Sequence, residues 1–149
     1  MSSFVVEQVR TDTQHNDADV FPLIYAKQTG ADQLSQAIDW VKQNQTALME
    51  QLSRHGAILF RDFPVVSDKD FDAFLSAFDL PNFTYADSLS NAVRRNRTPN
   101  VFTANEAPPA VSIFLHHEMA QTPIYPAQLF FFCELAAEQG GATPLCRSD

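Results

Sequence analysis

Between Asp32 and Phe60 the hydrophobic period of the chain changes once, and that change limits the folds open to it. Leu34, Ile38, Val41, Leu48 and Leu52 recur near every 3.6 residues, with glutamine-rich polar positions between them. The spacing predicts an amphipathic helix from Asp32 to about Arg54 with one buried stripe. Gly56 breaks it, and Ala57-Ile58-Leu59-Phe60 is a short, wholly apolar run of the kind that forms a buried strand. A helix leading into a buried strand points to an α+β class. The core has enough material, since 45% of the 149 residues are hydrophobic and only 19% charged, which argues against disorder.

The flanks add to this pattern. Residues 4–28 alternate weakly and include Phe21-Pro22-Leu23-Ile24-Tyr25, which predicts short strands at a sheet edge. Ser67 followed by Asp70 resembles a capping box, and Phe71, Phe74, Leu75 and Phe78 share one helical face until Pro81. Residues 82–110 show no sustained period and read as a long loop, a class that is often functional. Val111 to Met119 and Ala127 to Cys133 are strand candidates, and Gly140-Gly141 is a turn into a third.

Charge and cysteine usage exclude several functions. The net charge of −8 repels a phosphate backbone, and no Lys/Arg stripe spans the sequence, so nucleic acid and anionic membranes are not expected partners. Cys133 and Cys146 are too few for a disulfide framework and lack zinc or redox spacing, so both are expected to be reduced, buried thiols. The N-terminus has no basic flank before an apolar run, and no stretch reaches bilayer length, so a cytoplasmic location is the expectation.

The chemistry concentrates in Phe114-Leu115-His116-His117-Glu118-Met119. On a strand, His116 and Glu118 project to one face and His117 to the other. An imidazole and a carboxylate at that spacing suit a divalent metal, and a facial set of two histidines and one carboxylate with open positions is typical of non-haem Fe(II) oxygenases. Taken alone, the pair is read first as a His and a Glu near one another on a polar surface, because His-x-Glu arises by chance in many chains. Its surroundings are Thr103-Ala104-Asn105-Glu106-Ala107-Pro108 upstream, then Tyr125-Pro126-Ala127-Gln128-Leu129-Phe130-Phe131-Phe132-Cys133 and Gly140-Gly141-Ala142-Thr143-Pro144 downstream.

This order resembles the taurine dioxygenase and clavaminate synthase-like group of Fe(II)/2-oxoglutarate-dependent oxygenases, in particular its syringomycin-biosynthesis-like branch. Residues 32–149 carry the resemblance, most specifically 103–144. It implies a double-stranded β-helix, or jelly roll, with outer helices. Residues 1–100 would form a helical and strand N-terminal region with a loop, and 101–149 the first jelly-roll strands with the metal motif. It also implies that His116 and Glu118 bind Fe(II) and that the Thr143 hydroxyl hydrogen-bonds 2-oxoglutarate. The reaction would consume O2 and convert 2-oxoglutarate to succinate and CO2 while oxidising a small molecule such as an amino acid.

The group's third ligand, a later histidine, and the arginine that pairs with the distal carboxylate of 2-oxoglutarate have no counterpart here. The remaining histidines are His15, His55 and His117, all outside the stretch after Glu118. The expectation is therefore an N-terminal portion of an oxygenase domain, C-terminally incomplete and inactive as it stands, with open sheet edges through which it could oligomerise. The alternative is a non-catalytic binding or interaction module retaining part of the fold. A structural zinc site is disfavoured because two ligands cannot close a four-coordinate shell.

The other polar residues have plain readings. His117 is a neighbour of the site rather than a ligand, and His55 complements the dipole at a helix end. Arg94-Arg95-Asn96-Arg97 is read as a solvated loop in preference to an anion anchor, Glu106 as a surface carboxylate, and the phenylalanines at 71, 74, 78 and 130–132 as core.

Overall fold

The computed structural model describes residues 4–12, 14–16, 19–28, 30, 32–83, 94–104, 106–108 and 110–147. Its elements run β1 (Val6–Val9), β2 (His15–Asn16), β3 (Val20–Phe21), β4 (Leu23–Lys27), α1 (Leu34–His55), β5 (Ile58–Arg61) and α2 (Asp68–Ser76). The chain divides into two compact units. One comprises residues 1–66 with 73–79, and the other 67–72 with 80–149, so the first turn of α2 belongs to the second unit and its end to the first.

The first unit follows from the change of period. Helix α1 extends through 22 residues that contain neither Gly nor Pro, and Gly56 ends it in the left-handed region at φ 72°, its N–H bonded to the Leu52 carbonyl at 2.8 Å. Of the expected stripe, Val41 and Leu48 are buried, and Ala37 is buried beside them. Burying one such Val or Leu side chain contributes about 1.5–3 kcal/mol. The chain then enters β5, which pairs in parallel with β4 in the register Leu23↔Ile58 through Ala26↔Arg61. Strand β1 pairs antiparallel with the other side of β4, so the sheet order is β1-β4-β5.

The short strands expected in residues 4–28 are present, and β1, β2 and β3 each lie at a sheet edge; β4 is the exception, a central strand with Leu23 and Ile24 buried. Pro22 lacks an N–H and precedes β4 rather than interrupting it, following a cis peptide bond from Phe21. Strands β2 and β3 form a separate two-stranded sheet. Phe4, Tyr25, Trp40, Phe60, Phe63, Phe74 and Phe78 pack as one cluster in this unit. The Phe60 ring meets Phe63 edge-on at 5.2 Å and Phe74 at 5.6 Å, and such pairs contribute about 0.5–1.5 kcal/mol each beyond area burial. Phe74 and Phe78 are core as expected.

His55 is the last residue of α1 and is buried, with its Nδ1 2.7 Å from the Val20 carbonyl. A carbonyl only accepts, so Nδ1–H donates, and this bond ties the C-terminal end of α1 to β3. Ser67 caps α2 by accepting from the Asp70 N–H at 3.2 Å, which is the expected half of a capping box.

The second unit departs further from expectation. None of the segments Val111–Met119, Ala127–Cys133 or the stretch after Gly140-Gly141 is a strand. A strand forms only when a neighbour takes up its N–H and C=O groups, and among the described residues no ladder reaches these segments. Their side chains are correspondingly open: Phe131 is 71% exposed and Leu135 90%, while Phe132 stacks on Phe71 with centroids 5.3 Å apart. Cys133 and Cys146 are free, as expected, but exposed rather than buried. The α+β class therefore holds, with one mixed sheet, one two-stranded sheet and two helices. The jelly roll is not formed among the described residues.

Candidate functional site

Two local structures in the second unit place the site. The first is a tight reversal at residues 95–103. Arg95 N–H donates to Thr103 Oγ1, Thr103 N–H returns to the Arg95 carbonyl at 2.9 Å, Asn96 bridges Phe102, and Arg97 N–H donates to the Val101 carbonyl at 2.8 Å. These bonds fix the chain beside Arg94. The second is a turn at His117–Thr122, in which Thr122 N–H donates to the Met119 carbonyl at 3.0 Å. Met119 holds φ 57°, a left-handed conformation costly for a side-chain residue, and its side chain is buried. Burial of Met119 thus holds the turn that begins at Glu118.

His116 and Glu118 come together. His116 Nε2 lies 4.0 Å from Glu118 Oε2. The irregular backbone here replaces strand alternation as the reason for their approach. His116 Nδ1 lies 2.7 Å from the Phe114 carbonyl, so that nitrogen carries the proton and Nε2 presents a lone pair. This is the usual tautomer of a metal-ligating histidine. Two neighbouring ligands about 2.1 Å from one ion sit about 3 Å apart, so the donors need to close by about 1 Å around a cation, and the His116 ring is exposed enough to do so. The donor set fits two positions of a histidine–carboxylate iron site. Among the described residues, no group of three His, Cys, Asp or Glu side chains encloses an ion. Thr143 lies exposed beyond Gly140 and Gly141, both in the left-handed region, and a Cβ on Gly141 would meet the Ala137 Cβ at 2.7 Å. The turn expected at these glycines is thus enforced at Gly141. His117 is exposed.

Arg95, Asn96 and Arg97 are exposed, as expected of a solvated loop, but the three arginines of the cluster are all paired. Arg94 Nη2 donates to Glu118 Oε1 at 3.0 Å, Arg95 pairs with Glu106 at 3.0 Å, and Arg97 pairs with Asp68 at 2.9 Å and Glu134 at 3.3 Å. Glu106 is a surface carboxylate, as expected, with Arg95 as its cation. Asn100 Nδ2 donates to Asp72 at 2.7 Å, a further tie between the reversal and α2. The sequence signal for these ties was a run of arginines in an aperiodic stretch with carboxylates on either side, but nothing in it assigns partners.

The Arg97 hydrogen bond holds the Asp68 carboxyl below its ordinary value near 3.8, and Asp68 in turn raises the guanidinium further. A carboxyl lowered on folding contributes stability that is in full above pH 3.8 and is lost as pH falls through the lower folded value. Titration of Asp68 by NMR should show a midpoint below that of a free aspartate, and Arg97→Met should raise it toward that value. An unchanged midpoint in the variant would show that Arg97 is not the cause.

The model of the taurine catabolism dioxygenase TauD, TfdA family matches residues 19–148. The chain belongs to that family. It is 42% identical over 108 residues to a clavaminate synthase-like protein of Arabidopsis thaliana, covering 72% of this chain and 32% of that protein. It is also 33% identical over 96 residues to the dapdiamide synthesis protein DdaC of Enterobacter agglomerans, covering 64% of this chain and 29% of that protein. The chain spans about a third of the length of the curated relatives it matches. Among the described residues no helix is long and apolar enough to cross a membrane.

Proposed function

We propose that this chain carries the iron-binding front part of an Fe(II)/2-oxoglutarate-dependent dioxygenase that oxidises a small molecule such as an amino acid. The observation that supports this reading most directly is the approach of His116 and Glu118, with Nδ1 of the histidine engaged and Nε2 open. Membership of a dioxygenase family agrees with it. His116 Nε2 and Glu118 Oε2 are the two protein donors, and the Thr143 hydroxyl donates to a carboxylate of 2-oxoglutarate. When bound, iron and 2-oxoglutarate supply the activation of O2, with 2-oxoglutarate oxidised to succinate and CO2. The chain's own work is to bind and orient. His116 presents Nε2 towards the metal position, Glu118 supplies negative charge, and Thr143 supplies a hydroxyl donor.

Anaerobic titration of 2-oxoglutarate into the protein, with and without Mn(II) as a redox-inert substitute, tests this reading. Binding should depend on the metal, and Thr143→Ala should weaken it about 2- to 10-fold, the effect of one neutral hydrogen bond. Equal affinity with and without metal would overturn the reading. The non-catalytic alternative has no observation in its favour beyond the two-donor set, and metal-dependent 2-oxoglutarate binding would count against it.

A further inference from the structure

Glu118 has two carboxylate oxygens, and each has a different neighbour. Arg94 Nη2 donates to Oε1 at 3.0 Å, while His116 Nε2 stands 4.0 Å from Oε2. The Arg94 and Glu118 side chains are only 17% and 15% exposed, against 59% for His116. One ligand candidate is therefore open to solvent and the other is held from behind by a sheltered cation.

We propose that Arg94 is a positioning residue that keeps Glu118 a one-oxygen ligand. By occupying Oε1 it leaves Oε2 as the donor beside His116, and the carboxylate takes one coordination position instead of two. This rests on the reading of His116 and Glu118 as metal ligands. The consequence for the site is an extra open position, which a reaction that must seat both a chelating oxoacid and O2 requires. The reversal at 95–103 fixes the chain immediately after Arg94, so the guanidinium approaches from a braced backbone.

Two effects of Arg94 on a metal oppose each other. Its positive charge repels a divalent ion, but that charge is already matched by the carboxylate it holds. Its hydrogen bond orients Glu118 before the ion arrives, so less rotamer freedom is lost on binding. Outer partners of ligating carboxylates typically contribute about 10- to 100-fold to metal affinity, so orientation outweighs repulsion.

Mn(II) titration of the whole chain, followed by the EPR signal of the free ion and by water-proton relaxation of the bound ion, tests the proposal. Arg94→Met should lower Mn(II) affinity by about 10-fold or more. The Mn(II) that still binds should carry fewer exchangeable waters, because both carboxylate oxygens turn to it. Arg94→Lys, which keeps a charged donor, should recover most of the affinity and the water count. Should circular dichroism show that Arg94→Met does not fold, Arg94→Gln gives the same readout with the same expected direction. Wild-type affinity and water count in the folded variant would overturn the proposal. Glu118→Ala separates the two levels: if that variant binds Mn(II) like the wild type, the ligand assignment itself fails and the role of Arg94 fails with it.

Discussion

On the proposed ligand assignment, His116→Ala should lower Mn(II) or Fe(II) affinity by on the order of 100-fold or more, while His117→Ala should leave it within about twofold. A lost ligand costs at least as much as the upper end of what lost outer partners cost. The adjacent histidines make the comparison sharp, since they share sequence position, charge class and exposure. His116 has its Nδ1 tied to the Phe114 carbonyl and its Nε2 beside a carboxylate that is itself held by Arg94. Isothermal titration of both variants checks this, and equal losses from the two would mean that the His116–Glu118 approach does not define the site.

The protein is expected to self-associate in a concentration-dependent way, and replacing Phe114, Phe131 and Leu135 together with Ser should reduce that association by an order of magnitude or more. The three side chains are 82%, 71% and 90% exposed. Fully burying one large apolar side chain contributes about 1.5–3 kcal/mol, so three of them can change an association constant by well over tenfold. Most of the other exposed large hydrophobics, among them Ile113, Leu115, Ile124 and Leu145, lie in the same stretch of sequence. Light scattering over a range of concentrations, with binding of an apolar dye as a second measure, checks this. A monodisperse wild-type monomer would show that these side chains find cover within the chain.

The first unit was largely legible because its determinants are local. Leu34 to Leu52 carry their period on their own, Gly56 stops the helix wherever the chain goes next, and Ile58–Arg61 is apolar enough to need burial. The central place of Leu23–Lys27 was not legible, because centrality depends on what pairs on both sides: Val6–Val9 and Ile58–Arg61, the latter more than thirty residues away. The candidate strands after Val111 illustrate the same limit from the other direction. Phe130, Phe131 and Phe132 have the composition of a strand, but pairing requires a partner, and alternation alone does not supply one.

The site divides in the same manner. His116 and Glu118 were found from spacing and from resemblance to a family, and the two side chains do approach each other, though along an irregular backbone and not a strand. The partners of the arginines were missed, since ion pairs between residues 11 to 37 positions apart leave no periodic trace. The cysteines were misjudged for a related reason. Cys133 follows three phenylalanines, and an apolar neighbourhood in sequence is not an apolar neighbourhood in space.

Arg97 joins the start of α2, the reversal at 95–103 and the segment around Glu134 through one guanidinium. Those ties are electrostatic and lie near the surface, where salt shortens the reach of a charge from about 10 Å at 0.1 M to about 3 Å at 1 M. The order of this region is therefore set by the ionic strength around it, as well as by its sequence. The aromatic cluster of Trp40, Phe60, Phe63 and Phe74 is held by ring packing, which such screening does not weaken.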